Sequence, residues 1–207
     1  MVSIFDELTT ILGKSSTPFF SLSHTYSTEE PNDERRAIWA NHRCNVGAKP
    51  LPSRDAPKYT WLAAEQDLER QLIKCGGWAV SMTNSDTLPF IITEGFLLDG
   101  EDADLDLGRP CGCHDNAQAL HDENPEEIVV MMGYALSEDG MWRGHSWGLR
   151  IADNGFRIIE TTSERVAYFG HILKPGQEAA TKEEELELFA RGSDILREFY
   201  ANSGKEL

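Results

Sequence analysis

Several features that would assign the chain to a specialised class are missing from its sequence. Only four cysteines occur among 207 residues, without the density or regular spacing of a small secreted disulfide framework. No uninterrupted apolar run approaches the length of a membrane span, and the first residues lack the cationic region and apolar run of an export signal. These absences predict a soluble, cytoplasmic protein without a membrane partner.

Basic residues are also scarce. Lys and Arg together number 19 against 35 Asp and Glu, which gives a formal net charge of -16 at pH 7. Because an excess of carboxylates repels phosphate backbones, this balance argues against nucleic acid as a partner. The hydrophobic content of 40% and the chain length favour one packed domain with extensions.

Hydrophobic spacing predicts the order of the main elements. Residues 1–58 begin with an amphipathic helix and continue as a polar, proline-bearing region, which we interpret as an N-terminal extension or lid. Residues 59–207 are expected to form the main domain. Its outer elements are predicted to be a helix over 61–75, short strands over 78–82 and 90–92 around a turn at 83–86, and a helical tract over 181–203.

An acidic stretch from Asp99 to Asp106 raises the question of a cation site. Its spacing differs from that of an EF-hand loop, because Gly108 falls one place late and Cys113 stands where the bidentate glutamate belongs. We interpret the stretch as a solvated loop, and a specific calcium site remains the alternative.

The run from Cys111 to Leu120 changes from loop residues to a helix-compatible pattern. Cys113 is therefore expected at or near a helix N-terminus. The partial positive charge of the exposed amides there lowers the pKa of a thiol, and the same amides can bind a developing oxyanion. This placement makes Cys113 a candidate nucleophile.

A strand pair is expected further along the chain. Residues 127–136 form an apolar strand, and the alternation after it places His145, Trp147 and Leu149 on one strand face. Asp153-Asn154-Gly155 is a strong hairpin signal, after which the chain returns as a strand carrying Glu160. His145 thus heads an apolar row, where it is a candidate base.

In their order, these residues resemble the transglutaminase-like and papain-like superfamily of cysteine enzymes. The resemblance rests on Cys-His-x-Asn-Ala at Cys113, a Gly-Tyr-Ala-Leu strand, His-Ser-Trp at His145, and the acid-Thr pair at Glu160, about a quarter of the chain. It implies an α+β fold in which the nucleophile helix packs on an antiparallel sheet and a helical C-terminus covers one edge. It also implies Cys113 as nucleophile, His145 as base and Glu160 as the residue that orients the imidazole.

The third position departs from the family pattern, which has aspartate or asparagine where this chain has Glu160. If Asn154-Gly155 forms a two-residue turn, Glu160 faces Leu149 and lies too far from His145. If Ala152–Gly155 forms a wider loop, Ile151 faces Phe156 and Glu160 faces Trp147, diagonal to His145. Thr161 and Thr162 are alternatives for the orienting role.

Three neighbouring side chains are candidates for substrate binding, each with a structural alternative. Tyr134 and Trp147 would line the cleft or pack the sheet, and Asn116 would order the site or cap the helix. A zinc site is a competing interpretation of one cluster, although its Cys-x-Cys spacing lacks a second pair. That cluster comprises Cys111, Cys113, His114 and His121.

The resemblance predicts an amide-bond hydrolase or acyltransferase that forms a thioester on Cys113 and uses no organic cofactor or metal. Its substrate would be a protein, a peptide or a small amide. A catalytically inactive acidic module that binds a basic partner is the alternative, and the net charge of -16 motivates it.

Overall fold

We describe the protein from a computed structural model, in which residues 4–15, 25–39, 57–81, 87–153 and 155–174 are described together with a few positions between 194 and 202. The described fold is a mixed α+β structure, a seven-stranded sheet with helices packed on it. The predicted turn at 83–86 and most of the predicted helical tract over 181–203 lie outside the described residues.

In the described part of the chain, five helices precede or interrupt the strands. They are α1 (Ile4–Ser15), α2 (33–39), α3 (Pro57–Cys75), α4 (Leu88–Glu94) and α5 (Cys113–Glu123). The helices expected near the N-terminus, over 61–75 and after Cys113 are confirmed. Within the described ranges, no helix is long and apolar enough to cross a membrane.

The seven strands follow the order β2-β7-β4-β5-β6-β3, with β1 pairing β5 beside this path. They are β1 (Ala79–Val80), β2 (Phe96–Asp99), β3 (Asp104–Leu105), β4 (Ile128–Leu136), β5 (Met141–Ala152), β6 (Gly155–Glu160) and β7 (Ala167–Ile172). The expected strands around Val130, Trp147 and Ile159 are β4, β5 and β6, and they pair antiparallel. The whole sheet is mixed rather than antiparallel, because β1 lies parallel to β5 and β3 lies parallel to β6.

The prediction of a strand over 90–92 is wrong, because those residues lie in α4. All residues from Leu88 to Ile92 are buried, so the helix has no polar face that would reveal a helical period. Pro89 in its first turn fits a helix start, which the short apolar run conceals.

Two hydrophobic cores lie on opposite faces of the sheet. One contains Leu68, Leu72, Tyr134 and Trp142 and is covered by α3 and α4. The other contains Met131, Trp147, Leu149 and Tyr168, and α1 covers it with Leu8 and Leu12. The extension predicted over 1–58 thus contributes side chains to a core, while its boundary with the main domain stays a prediction.

Candidate active site

The thiol of Cys113 lies at the first residue of α5. Gly112 precedes it as a helix cap without a side-chain hydrogen bond, and Cys111 adopts a left-handed conformation with φ 60° that turns the chain into the helix. Backbone amides of His114 and Ser146 lie next to the sulfur and lower the pKa of the thiol. The thiol therefore faces both a helix N-terminus and the edge of β5.

A gap in strand pairing accommodates this helix end. Among the described strands, β1 pairs with β5 only at Met141 and Trp142, and β6 pairs with it only from Gly148 onward. The segment between them meets α5, where Ser146 Oγ lies 2.7 Å from His114 Nδ1. The tip of α5 and β5 are thereby held together next to His145.

The imidazole of His145 connects the thiol to a buried carboxylate. His145 is 3% exposed, and its Nε2 lies 2.8 Å from Oε2 of Glu160, which is 0% exposed. The imidazole also lies beside the Cys113 thiol and lowers its pKa. Because Glu160 engages Nε2, Nδ1 is the ring nitrogen left for the sulfur. The structure thus brings the three predicted residues together, with the imidazole between the thiol and the carboxylate.

The register of the hairpin explains how Glu160 reaches His145. Ala152 pairs with Gly155 and Ile151 with Phe156, so Glu160 lies one step beyond the pair of Ile159 with Gly148. This is the second of the two registers considered from the sequence, with Glu160 beside Trp147 and diagonal to His145. The wider loop expected over Ala152–Gly155 is not formed, because these two residues pair with each other. The register that would have placed Glu160 opposite Leu149 is not adopted.

Glu160 accepts hydrogen bonds on both carboxylate oxygens. Besides His145, the hydroxyl of Tyr168 donates to Oε2 at 2.9 Å. The backbone N–H and the hydroxyl of Thr162 donate to Oε1 at 2.7 and 2.8 Å, and the amide of Ser163 donates at 3.4 Å. A buried carboxylate with this many donors is held ionised and in a fixed orientation.

The pKa values of the three groups shift in the directions that favour an ion pair. Burial raises the pKa of Cys113, but the hydrogen bond from His145 and the amide of Ser146 outweigh it and lower the pKa overall. Burial lowers the pKa of His145, yet its bonds to Cys113 and Glu160 raise it overall. Despite burial, His145 and Thr162 lower the pKa of Glu160 to about 2. These directions favour thiolate, imidazolium and carboxylate together.

Two aromatic rings fix the imidazole from the core side. Trp147 and Tyr168 stack against His145 with centroid separations of 6.1 and 6.3 Å, and their own rings are 4.9 Å apart. Both rings are fully buried. Trp147 therefore contacts the base from the interior, as the structural alternative for this residue expects, while a role in substrate binding stays a prediction.

Asn116 orders the loop that leads to the nucleophile. Its Oδ1 accepts from the backbone N–H of Arg109 at 3.1 Å, and its Nδ2 donates to the carbonyls of Arg109 and Thr161 at 2.9 and 3.2 Å. Tyr134 is buried in the core on the α3 side of the sheet. Asn116 thus ties α5 to the residue after Glu160, and substrate contacts of either residue stay predictions.

The cluster considered for zinc is divided among other contacts. His114 faces Ser146, His121 Nδ1 lies 2.7 Å from the carbonyl of Ile128, and Cys113 faces His145. In the described part of the chain, no group of three or more His, Cys, Asp or Glu side chains is arranged to hold a metal ion. This holds for the acidic stretch from Asp99 to Asp106 as well, where Asp104 pairs with Arg150.

Sequence reasoning did not identify Tyr168 as a partner of Glu160. The two residues lie on β6 and β7, strands that are separated in the sheet by β5 and β4, so no local pattern links them. Ser146 was likewise overlooked as the residue whose amide meets the thiol, because that contact depends on the gap beside β5.

Comparisons with known proteins found no relative: no family model matches the sequence, and no curated protein and no solved structure matches the chain. The inference about function therefore depends on the geometry of Cys113, His145 and Glu160.

Proposed function

We propose that the chain is a thiol-dependent amide-bond hydrolase or acyltransferase that forms a thioester on Cys113. The observation that carries this proposal is the buried hydrogen bond between His145 and Glu160 next to the Cys113 thiol, whose pKa the imidazole lowers. Structural cysteines are usually buried and inert, whereas a half-buried thiol with a lowered pKa beside a histidine is typical of a nucleophile. The arrangement of a helix-borne cysteine against sheet-borne histidine and acid further supports a papain-like or transglutaminase-like core.

The first half of the proposed reaction transfers the acyl group to sulfur. The Cys113 thiolate attacks the acyl carbon, and the electron pair of the C=O bond moves onto oxygen. Backbone amides at the uncapped start of α5, that of Cys113 included, are placed to donate to this oxyanion. As the C–N bond breaks, the His145 imidazolium protonates the leaving amine, and a thioester and neutral imidazole remain.

The second half resolves the thioester. His145, now neutral, removes a proton from water or from an acceptor amine, which attacks the thioester carbon and expels the Cys113 thiolate. Water gives a carboxylic acid and an amine gives a new amide. Glu160 acts throughout as a positioning residue that holds Nε2 and stabilises the imidazolium.

An acidic binding module that acts without catalysis is the competing function. The net charge of -16 favours it. It expects Cys113→Ala to retain the protein's function, whereas the proposed enzyme loses all thioester formation with this change.

Selective alkylation tests the activated thiol directly. We expect limiting iodoacetamide at neutral pH to label Cys113 faster than exposed Cys111, and Cys75 to stay unlabelled because it is buried and its pKa is raised to about 11. Intact-protein mass spectrometry with peptide mapping measures this order. His145→Ala should slow Cys113 at least tenfold relative to Cys111 in the same molecule.

The alkylation experiment has a clear opposite outcome. Equal labelling of Cys111 and Cys113, unchanged in a folded His145→Ala protein, would exclude an activated nucleophile. Exposed Cys111 serves in the same molecule as the reference for an unactivated thiol, and labelling of buried Cys75 would report unfolding. A selective wild-type result then justifies trapping the acyl-enzyme with activated amides and thioesters.

A further inference from the structure

The outer edge of β3 offers open backbone groups beside the candidate active site. Among the described strands, β3 pairs only with β6. The N–H groups of Asp106 and Gly108 donate to the carbonyls of Glu160 and Thr161, each at 2.9 Å. Because alternate residues of an extended chain turn their amides to opposite sides, the N–H and C=O groups of Leu105 and Leu107 face outward.

The same edge carries exposed apolar side chains. Leu105 is 47% exposed and Leu107 is 62% exposed, among the most exposed large hydrophobic residues of the described chain. An edge with open amides and apolar side chains is the surface to which an extended peptide adds as a further strand.

This edge leads along the chain to the nucleophile. Gly108 packs against the side chain of Asn116, which also binds the backbone of Arg109. Asn116 lies three residues after Cys113 in α5, on the same side of the helix. A peptide paired along Leu105 and Leu107 therefore continues towards the thiol.

A negatively charged cavity of about 460 Å³ adjoins this edge, and Leu105 forms part of its wall. Its charged lining consists of four carboxylates and one guanidinium, from Asp99, Glu101, Glu138, Glu164 and Arg165. The guanidinium is already bound, since Arg165 donates to the hydroxyls of Ser137 and Thr162 at 2.5 and 3.3 Å. The cavity is thus complementary in charge to a lysine or arginine side chain.

We propose that the substrate of this site is an extended peptide segment that adds to the outer edge of β3 and of the residues directly after it, at Leu105 and Leu107, and places a lysine or arginine side chain in the adjoining acidic cavity. This inference rests on the proposed function and names its substrate class. Backbone pairing supplies affinity without sequence preference, apolar neighbours of the basic residue contact the two leucines, and the cavity selects the cation.

Binding to full-length Cys113→Ala protein tests the surface separately from catalysis. The probes are two fluorescein-labelled nine-residue peptides of alternating threonine and valine, one with a central lysine and the other with a central glutamate. We expect fluorescence anisotropy at low salt to show at least tenfold tighter binding of the lysine peptide, with an advantage that falls as salt is added.

Matched variants locate the binding. In the Cys113→Ala background, the double change Glu138→Gln and Glu164→Gln should weaken binding of the lysine peptide about tenfold, a typical effect of two partly exposed charge pairs. Glu126→Gln, at an exposed turn residue that does not line the cavity, should leave it unchanged. Leu107→Thr should also weaken it, while Ile38→Thr, which changes a comparably exposed residue on α2, should not. N-methylation of the peptide backbone should abolish binding.

Equal affinity for the two peptides, failure of both to bind, or equal effects of the cavity variants and Glu126→Gln would overturn the proposal. These outcomes differ from a failure of the proposed function. If Cys113 is not an activated nucleophile, alkylation is unselective while peptide binding persists. If the surface proposal is wrong, alkylation remains selective while the peptide preference is absent.

Discussion

Replacing Glu160 by glutamine should remove a contribution to the free energy of unfolding that depends on pH. The carboxylate is 0% exposed, and its pKa is lowered from 4.5 to about 2 in the folded protein. The difference of about 2.5 units corresponds to about 3 kcal/mol at 1.36 kcal/mol per unit. Because the folded pKa lies below the unfolded one, this stabilisation is complete above about pH 5 and is lost as pH falls towards 2.

Glutamine keeps the shape of Glu160 but cannot satisfy its neighbours. Each of its hydrogen-bond partners, on His145, Tyr168, Thr162 and Ser163, donates to the carboxylate. An amide NH₂ in either orientation therefore faces donors, at a cost of about 1–3 kcal/mol for the buried group. We expect Glu160→Gln to be several kcal/mol less stable than wild type at neutral pH and to alkylate Cys113 more slowly.

Urea unfolding followed by tryptophan fluorescence measures this effect at several pH values. By about pH 3 the wild type should have lost about 2 kcal/mol of the contribution from Glu160, whereas the glutamine variant loses none of it. The stability gap between the two proteins should narrow accordingly. Exposed Glu126→Gln serves as the control for a change in net charge. Parallel loss of stability in wild type and Glu160→Gln over this range would refute the role given to this carboxylate.

Two further changes test the surroundings of the site, and a third tests a buried histidine of β7. Tyr168→Phe removes a donor to Glu160, so the carboxylate should bind the imidazolium more strongly and raise the pKa of His145 further. An NMR titration of the His145 ring protons measures this pKa, and a downward shift would contradict the prediction. Asn116→Ala removes three hydrogen bonds around Arg109 and Thr161, and urea unfolding should show a loss of about 1–3 kcal/mol together with slower labelling of Cys113. Burial lowers the pKa of His171 to about 4, so its folded pKa lies below the unfolded 6.5 and wild type should lose about 3 kcal/mol as pH falls from 6.5 to 4. In His171→Leu that loss should be much smaller, and an equal loss in both proteins would contradict the assignment.

The elements that were predicted correctly have either a clear spacing of apolar residues or a clear terminating residue in the sequence. The helix before Gly76 and the strand over 127–136 both have these signals, and the structure contains them as α3 and β4. The prediction of a strand over 90–92 was wrong because a short apolar run is compatible with a buried helix as well as with a strand. β7 was not predicted, although it brings Tyr168 to the site, because its residues are buried on both faces and show no alternation.

The pairing of His145 with Glu160 was predictable only as one of two possibilities. The two possibilities differ by two residues in the pairing of β6 with β5, which leaves every side chain of β6 on the same face of the sheet and moves Glu160 from Leu149 to Trp147. In both registers Ile158 faces the core that contains Trp147 and Leu149, so burial of apolar side chains does not distinguish them. The choice depends on which residues form the turn between β5 and β6, and the hydrophobic pattern of the sequence is compatible with either.

The same register accounts for the glutamate at a position where the resembled superfamily has a shorter side chain. His145 and Glu160 are not directly opposite each other, because Glu160 lies beside Trp147, two residues along β5 from the histidine. Diagonal neighbours across antiparallel strands have Cα atoms about 7–8 Å apart, so a side chain must extend along the sheet to reach the imidazole.

The additional methylene of glutamate spans this gap, with its Oε2 at 2.8 Å from Nε2. Its other oxygen, Oε1, reaches the amide of Thr162 at 2.7 Å just beyond the end of β6. An aspartate on the same backbone would be shorter by one carbon and would have to give up one of these two contacts. The length of Glu160 therefore follows from the hairpin, and it allows one carboxylate both to orient the base and to fix the chain where β6 ends.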